Sequence, residues 1–309
     1  MNTLKENKRT GNQCISVTLE ELMQLASYAK AFSLSALRIK KQLSGNHLSP
    51  LLGRGMEFVG SRRYQIQDDI RHIDWKTTAR SGKTHTKLFS EEKEREVILC
   101  GDLSASMFFA TQGVFKSVQA ALMMSHLAWS AVKAGHRLGG VIYNDLHHNE
   151  YRPTRGQRGI LPFLQGLVDS TMSRPNPSEA SPTKMCQALE ELERVASPGS
   201  LIVVVSDFRH LTADLHDRLI QLGRQSDLFL CMIFDPLEKS WPKQGTYSVG
   251  IGDKFLQINV STKKKMESYH RQFLERRDKV KSLTNFGRIH FMECCTDQDC
   301  LEVLKEYFN

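Results

Sequence analysis

Apolar residues recur at helical spacing near the start of the chain, before a change of pattern close to residue 95. Thr18 and Glu21 form a capping-box pattern, and leucines and alanines follow every three or four residues. We predict a helix over about 18–43, which ends before the breaker sequence Ser-Gly-Asn at 44–46. Residues 1–15 show no such pattern and are predicted to be a flexible tail.

Residues 53–93 are dense in Gly, Arg and Asp, and their apolar residues occur in short alternating pieces. This pattern is typical of irregular, mostly β structure with a small core. We therefore predict an N-terminal segment over 16–95 that consists of one helix followed by a β-rich part.

From Glu96 onward, short aliphatic runs alternate with longer helical stretches. The predicted strands are 97–100, 138–143, 201–205, 228–234 and 289–293, with a β pair near 246–260. The predicted helices are 114–134, 160–168, 184–195, 214–225, 263–283 and 299–308. Strands that are apolar on both faces and alternate with helices form parallel sheets covered on both sides. Residues 96–309 are therefore predicted to be an α/β domain with a doubly wound, mostly parallel sheet and helices on both faces.

Composition narrows the class of protein. The chain has 309 residues, 40% of them hydrophobic and 25% charged, which is ordinary for a globular protein. Its first residues lack an export signal, and no run approaches the length of a membrane span. The seven cysteines lack paired spacing, so we expect reduced thiols packed as small apolar groups. These features predict a cytoplasmic protein.

The basic excess of the chain is concentrated in its first third. Residues 1–95 hold 17 Lys and Arg against 10 Asp and Glu, whereas residues 96–309 hold 25 against 24. A region with such an excess of positive charge could bind nucleic acid, an anionic membrane surface or an acidic protein. The alternative is a solvated basic face without a partner.

Two predicted strands end in aspartate. The first gives Asp102-x-Ser104-x-Ser106 and another gives Ser206-Asp207. If these strands are neighbours at the switch point of the sheet, their carboxylates and hydroxyls converge in one crevice. Such hard oxygen ligands suit Mg²⁺ or Mn²⁺ and suit zinc poorly. The alternative is that Asp102 and Ser104 only cap the following helix.

The Asp-x-Ser-x-Ser pattern after an apolar strand resembles the metal-ion-dependent adhesion site (MIDAS) of von Willebrand factor type A (vWA) domains. The resemblance implies a magnesium site in which a coordination position stays open for a partner's carboxylate. By position, the implied ligands are Asp102, Ser104, Ser106, Thr183 and Asp207.

A second resemblance is to the domain-of-unknown-function 58 family. It rests on Gly53–Phe58, Arg63-Tyr64, Asp68–Trp75 and Thr78–Arg80, followed by the vWA-like strand. That family lies beside MoxR-type AAA+ ATPases, which implies a bacterial, chaperone-like role with such an ATPase and other vWA-like proteins as partners. The sequence departs from the family pattern at Gln67 and at Ser181-Pro182, where glycine is common.

The same upstream motifs mix positive charge with aromatic side chains. One interpretation is a recognition surface, and the alternative we favour is an internal Arg–Asp network in which Trp75 is the packing anchor. The candidate residues are Arg63, Tyr64, Arg71, Asp74, Trp75 and Arg80.

Several enzyme classes lack their motifs. Ser81-Gly82-Lys83-Thr84 is not a phosphate-binding loop, because Thr77 stands where that motif requires glycine. No nucleophile elbow is present. We therefore expect a non-catalytic protein-interaction module that binds Mg²⁺ and works with a MoxR-type ATPase in assembling, maturing or remodelling proteins. A metal-dependent hydrolase of phosphate esters is the alternative, and a basic nucleic-acid-binding protein ranks last.

Overall fold

The computed structural model describes residues 11–34, 56–65, 68–91, 94–173, 183–239, 245–251, 254–260 and 263–308. These residues divide into two compact units. The main unit combines residues 11–34 with those from 95 onward, and the small unit comprises the described residues between 56 and 94.

The N-terminal part of the main unit contains one short α-helix. It has a 3-10 helix at Gly11–Cys14, helix α1 at Leu19–Gln24 and a second 3-10 helix at Leu25–Tyr28. The predicted capping box is confirmed, since Thr18 Oγ1 accepts a hydrogen bond from Glu21 N while Glu21 Oε2 accepts one from Thr18 N.

The predicted helix over 18–43 is too long, and the predicted tail over 1–15 includes an ordered turn at 11–14. Residues 1–10 and 35–43 lie outside the described residues. The physical reason is tertiary packing: the indole N–H of Trp129 donates to Leu22 O at 2.8 Å, so the end of α1 is fixed by a distant partner.

The N-terminal segment also belongs to a different unit than expected. Val17, Leu22, Phe32 and Leu34 are buried in the core of the main unit. Residues 16–95 therefore do not form one segment, because the apolar face of the first part is covered by the α/β unit.

In the small unit, strand β1 (Met56–Arg63) pairs antiparallel with β2 (His85–Glu91). Between the two strands lie a 3-10 helix at Ile70–His72 and helix α2 at Trp75–Ser81. Asp74 caps α2, because its carboxylate accepts hydrogen bonds from the Thr77 N–H at 3.1 Å and the Thr77 hydroxyl at 2.8 Å.

The main unit is built on a six-stranded sheet. Its strands are β3 (Glu96–Asp102), β4 (Arg137–Tyr143), β5 (His148–Arg155), β6 (Leu201–Ser206), β7 (Asp227–Phe234) and β10 (Ile289–Cys295). Their order is β10-β7-β6-β3-β4-β5, and every neighbouring pair is parallel except β4 and β5. The antiparallel edge strand β5 has no counterpart among the predicted strands.

Helices cover both faces of this sheet. They are α3 (Lys116–Lys133), α4 (Gln157–Met172), α5 (Thr183–Val195), α6 (Ala213–Gln225), α7 (Pro236–Lys239), α8 (Lys263–Ser282) and α9 (Cys300–Phe308). A hairpin of β8 (Gly245–Ile251) and β9 (Lys254–Val260) precedes α8. One core lies among α3, α4, α9 and the N-terminal segment, and the other among α5, α6 and α8. The predicted doubly wound, mostly parallel α/β fold is confirmed.

The strand order places a switch point between β3 and β6. From β3 the chain continues to β4 on one side, and the later strands add beyond β6 on the other. Ligand sites in open α/β sheets lie at the carboxyl ends of strands at such a point. Asp102 ends β3 and Ser206 ends β6, so both residues lie where such a site is expected.

Two further observations on the described residues concern membrane-spanning helices and cysteines. None of their helices combines the length and the apolar character needed to cross a bilayer. All seven cysteines are free thiols, and five of them are buried.

Candidate functional site

Asp102 joins the tips of the two central strands. Its side chain is buried, with 4% of the residue exposed. Oδ1 accepts a hydrogen bond from Ser104 N at 3.0 Å, and Oδ2 accepts one from the Ser206 hydroxyl at 2.5 Å. The pKa of Asp102 is raised above its ordinary value. Burial is the larger cause, and the negative charge of Asp207 adds to it.

The two predicted serine ligands lie beside Asp102. Ser104 Oγ and Ser106 Oγ are 3.3 Å apart, at the start of a 3-10 helix that covers Ala105–Met107. The Ser104 hydroxyl does not cap that helix. The alternative that Ser104 serves only as a cap is therefore not supported, and both hydroxyls remain available as oxygen ligands.

Asp145 is a second carboxylate at this place, and it is not among the residues predicted from the sequence. It follows β4, which is the neighbour of β3, and it is buried. Its Oδ2 accepts a hydrogen bond from Ala105 N at 2.6 Å. The signal that could have found it is an acid just beyond a strand next to β3, since the carboxyl ends of parallel neighbours meet at one edge.

These groups open into a small pocket that mixes acidic and basic side chains. Lys184 forms no ion pair with a described acid, and its Nζ donates to Gln187 Oε1 at 3.2 Å. Within the described chain, the ring of His210 has no hydrogen-bond partner. The pocket is lined by Asp102, Ser104, Tyr143, Asn144, Asp145, Lys184, Met185 and His210.

Tyr143 forms part of the pocket wall. The residue is buried, and its hydroxyl oxygen makes no hydrogen bond to any residue that the structure describes. Burial raises the pKa of Tyr143 well above its ordinary value, so the hydroxyl stays protonated. The charge of Asp102 also raises this pKa and the Ser206 hydroxyl lowers it, so the Tyr143 hydroxyl lies beside both of these residues.

Asp207, another of the predicted ligands, is engaged elsewhere. The Lys116 ammonium donates to its Oδ2 at 2.7 Å, the Arg209 side chain lies 3.2 Å from the same oxygen, and Arg209 N donates to Oδ1 at 3.1 Å. Lys116 begins α3, whereas the pocket around Asp102 includes residues of α5 on the opposite face of the sheet. The expected convergence of Asp102 and Asp207 in one crevice is therefore not what the structure shows.

Side-chain alternation explains this separation. Ser206 points to the face that carries Asp102, so the next residue along the strand is directed to the other face. Burial raises the pKa of Asp207, but the charges of Lys116 and Arg209 outweigh burial, and the net pKa is strongly lowered. Asp207 is an ionised partner of an internal lysine.

Glu238 completes a buried ion cluster around this lysine, and no sequence pattern pointed to it. Lys116 Nζ lies 2.9 Å from Glu238 Oε1, and Arg276 Nη2 lies 3.1 Å from Glu238 Oε2. The side chain of Lys116 is 0% exposed and that of Glu238 is 1% exposed. We call Lys116, Asp207, Arg209, Glu238 and Arg276 the ion cluster.

A strained residue follows Asp207. Phe208 has a φ of 51°, in the left-handed region that residues with a side chain seldom occupy, and its ring is buried. Its N–H donates to the Ser206 hydroxyl at 2.9 Å, which holds the turn in place. Backbone strain of this kind concentrates at functional sites.

Thr183 is the remaining predicted ligand. It begins α5, next to the pocket residue Lys184, but its side chain lies outside the described part of the structure. Its proposed role stays a prediction.

The donor set that the structure brings together fits a hard divalent cation. Asp102, Ser104, Ser106 and Asp145 supply carboxylate and hydroxyl oxygens, and Tyr143 lines the same pocket. Within the described ranges, no group of three or more His, Cys, Asp or Glu side chains could hold a metal. A cation here would therefore depend on the serine hydroxyls and on water.

The predicted recognition residues lie in the small unit. Arg63 ends β1, and Tyr64 N donates to Thr84 O at 2.9 Å. Asp74 is buried as the cap of α2, so it is a structural residue. Trp75 is 69% exposed, and the expectation that it is a packing anchor is wrong. Arg71 and Arg80 are exposed near it.

Comparisons with known proteins concern most of the chain. The model of the family described as "Protein of unknown function DUF58" matches residues 60–279. "Uncharacterized protein Mb1516" of Mycobacterium bovis and "Uncharacterized protein Rv1480" of Mycobacterium tuberculosis are each 29% identical over 184 residues, which is 58% of this chain and 57% of theirs. The chain thus spans little more than half the length of these curated relatives.

Two solved structures are similar to part of this chain, with TM-scores below 0.5. "Conserved hypothetical protein BatB" from Bacteroides thetaiotaomicron has 12% sequence identity and a TM-score of 0.43, covering 69% of this chain and 96% of its own. "von Willebrand factor type A" from Catenulispora acidiphila has 12% identity and a TM-score of 0.32, covering 72% of this chain and 42% of its own. The doubly wound fold of this chain is established by its own strand order.

Proposed function

This chain belongs to the family described as "Protein of unknown function DUF58", and from that membership we propose that it is a non-catalytic, metal-dependent protein-interaction module. Its ion would be Mg²⁺, or Mn²⁺ in its place. Its partner would be a MoxR-type AAA+ ATPase, alone or with other vWA-like proteins. Together they would assemble, mature or remodel other proteins.

The observation that carries the proposal is the meeting of Asp102, Ser104 and Asp145 at the switch point of the sheet. Both carboxylates are buried, and the raised pKa of Asp102 means that its negative charge is disfavoured while no cation is beside it. A divalent cation would relieve that charge with the oxygen ligands it prefers.

The chain's own residues define what the loaded pocket would accept. A bound cation would supply positive charge that attracts a carboxylate. Lys184 and His210 line the same pocket and could donate hydrogen bonds to an anion. Without the cation, Asp102 and Asp145 would repel an acidic side chain, so association would depend on metal.

Calorimetric titration of the purified chain with MgCl₂ tests the metal site directly. We expect saturable binding by the wild type, no binding by Asp102→Asn and binding weakened at least about tenfold by Asp145→Asn. Asp169→Asn is the matched control, because Asp169 is an exposed acid on α4 whose removal leaves the pocket untouched. Equal binding by Asp102→Asn and the wild type would contradict the site.

The partner is tested separately, by pull-down of a MoxR-type ATPase from the same organism with the wild type in MgCl₂ or in EDTA. We expect retention in MgCl₂ alone, and loss with Asp102→Asn. Retention that is equal in EDTA would contradict metal-dependent docking.

The hydrolase alternative shares the same pocket. His210 and Lys184 beside two carboxylates are residue types that phosphate-ester hydrolases also use, and a bound ion could activate water. A phosphatase screen with Mg²⁺ and Mn²⁺ distinguishes the two proposals. Turnover that Asp102→Asn abolishes and Asp169→Asn leaves unchanged would favour catalysis.

A further inference from the structure

One face of helix α2 is fixed against its own unit. The Thr78 hydroxyl accepts a hydrogen bond from His85 N at 2.9 Å, and Thr77 bonds to the cap residue Asp74. Just before the helix, Ile73 is buried and pairs with Thr86. These contacts hold α2 in a defined orientation against β2.

The opposite face of α2 is open. Trp75, Lys76, Ala79 and Arg80 are all exposed, and positions i, i+1, i+4 and i+5 form one continuous stripe on a helix. Ile70, in the preceding 3-10 helix, is 66% exposed. Ile70 and Trp75 are therefore two large apolar side chains exposed within one short segment.

The cations of this segment have no acidic partner among the described residues. Arg71, Lys76 and Arg80 form no ion pair there, and two of the neighbouring acids are held by other groups. Asp68 pairs with Arg62 at 2.5 Å, and Asp74 caps α2. Asp69 is exposed and accepts a hydrogen bond from Arg71 N at 2.9 Å, so this segment combines apolar side chains with three cations and one acid, which is an excess of positive charge.

We propose that this face, which we call the α2 face and define as Ile70, Arg71, Trp75, Lys76 and Arg80, docks on an anionic lipid surface. Charge complementarity selects an anionic partner. An exposed Trp and Ile flanked by cations match the residues that peripheral proteins insert at the boundary between headgroups and acyl chains.

The size of the face favours a bilayer over other anionic partners. A stable protein interface covers about 800 Å² on each side, more than a two-turn helix and an adjoining turn present. Single-stranded nucleic acid binds to several stacked aromatic side chains, but this face has one, next to an aliphatic Ile70. A bilayer requires only that a few side chains enter it.

The test is co-sedimentation of the full chain with two kinds of vesicle. One contains phosphatidylcholine alone, and the other contains phosphatidylcholine with about 30% phosphatidylserine. We expect binding to the phosphatidylserine vesicles only, with a blue shift of tryptophan emission. Trp75→Ala should lower the partition coefficient for the vesicles about tenfold, because the aromatic side chain that would enter the bilayer is lost. Lys76→Ala with Arg80→Ala should lower it about fivefold for each charge.

Matched controls come from the main unit. Met172 is 57% exposed on α4, and Lys133 is exposed on α3, so Met172→Ala and Lys133→Ala should bind vesicles like the wild type. Equal vesicle binding by Trp75→Ala and the wild type would overturn the proposal. So would binding to an oligothymidine or to polyglutamate with none to the vesicles, because the partner would then be a nucleic acid or an acidic protein.

Discussion

The ammonium group of Lys116 lies 2.7 Å from Asp207 and is fully withdrawn from solvent. Asp207 follows the same strand whose Ser206 hydroxyl donates to Asp102, yet its charge is balanced by Lys116. The switch point of the sheet therefore carries two acids with different partners. Asp102 faces an open pocket, and Asp207 faces an internal cation.

Replacement of Lys116 by methionine should destabilise the fold. The substitution keeps the length of the side chain but leaves Asp207 and Glu238 buried with less compensating charge. We expect a loss of about 3–5 kcal/mol in the free energy of unfolding, measured by guanidinium titration. Lys133→Met, at an exposed position of the same helix, should stay within about 0.5 kcal/mol of the wild type. A loss below about 1 kcal/mol for Lys116→Met would argue against an essential pairing.

The same cluster predicts a dependence of stability on acid. Burial raises the pKa of Asp207 and of Glu238, but Lys116 and Arg209 outweigh it, so both pKa values are lowered. Groups with lowered pKa values stabilise the fold above their unfolded pKa values, about 3.9 and 4.3, and that stability is lost as the pH falls below them.

Guanidinium titrations from about pH 7 to about pH 3 measure this effect. The raised pKa of Asp102 acts in the opposite sense, so the comparison is made in an Asp102→Asn background. We expect the free energy of unfolding to fall below about pH 4, and to fall less steeply when Lys116→Met is added. Parallel curves for the two proteins would show that the cluster is not the source.

Removal of the Tyr143 hydroxyl separates stability from ligand binding. Because that hydroxyl is buried without a partner among the described residues, Tyr143→Phe should leave the metal-free protein as stable as the wild type, or more stable by about 1 kcal/mol. If the hydroxyl serves a ligand in the pocket, the same variant should bind Mg²⁺ more weakly in calorimetry. Tyr307→Phe, at an exposed position on α9, is the control for both measurements. A loss of stability in Tyr143→Phe alone would show that the hydroxyl already has a structural partner.

The N-terminal segment should contribute to the stability of the main unit. Leu22 is fully buried in its core, whereas the next residue, Met23, is 45% exposed. Leu22→Ala should therefore cost about 2–5 kcal/mol in the free energy of unfolding, and Met23→Ala should cost about 0.5 kcal/mol or less. Similar losses for the two variants in urea titrations would contradict the assignment of this segment to the main unit.

Local patterns predicted most of the elements of the main unit. Five consecutive aliphatic residues before Ser206 read as a strand buried on both faces, and that is what β6 is. The capping box at Thr18 also located the start of α1. These signals lie within a few residues of the features they predict, so no knowledge of distant contacts was needed.

Features that depend on distant partners could not be predicted. Trp129 and Leu22 are 107 residues apart, and Lys116 and Asp207 are 91 apart. The sequence identifies Asp207 as an acid at a strand end, but the face that it occupies follows from strand register. The exposure of Trp75 could not be predicted either, because the same motif of charged and aromatic residues is compatible with a buried network and with an exposed surface.

The ion cluster has a consequence for how sequences of this architecture can diverge. It fastens the start of α3 to the segments after β6 and β7 and to α8, through contacts that involve no pocket residue among those described. Substitutions in the pocket are therefore expected to leave the contribution of the cluster to folding unchanged. Relatives with different binding preferences are expected to retain the cluster and to vary around Asp145, Lys184 and His210.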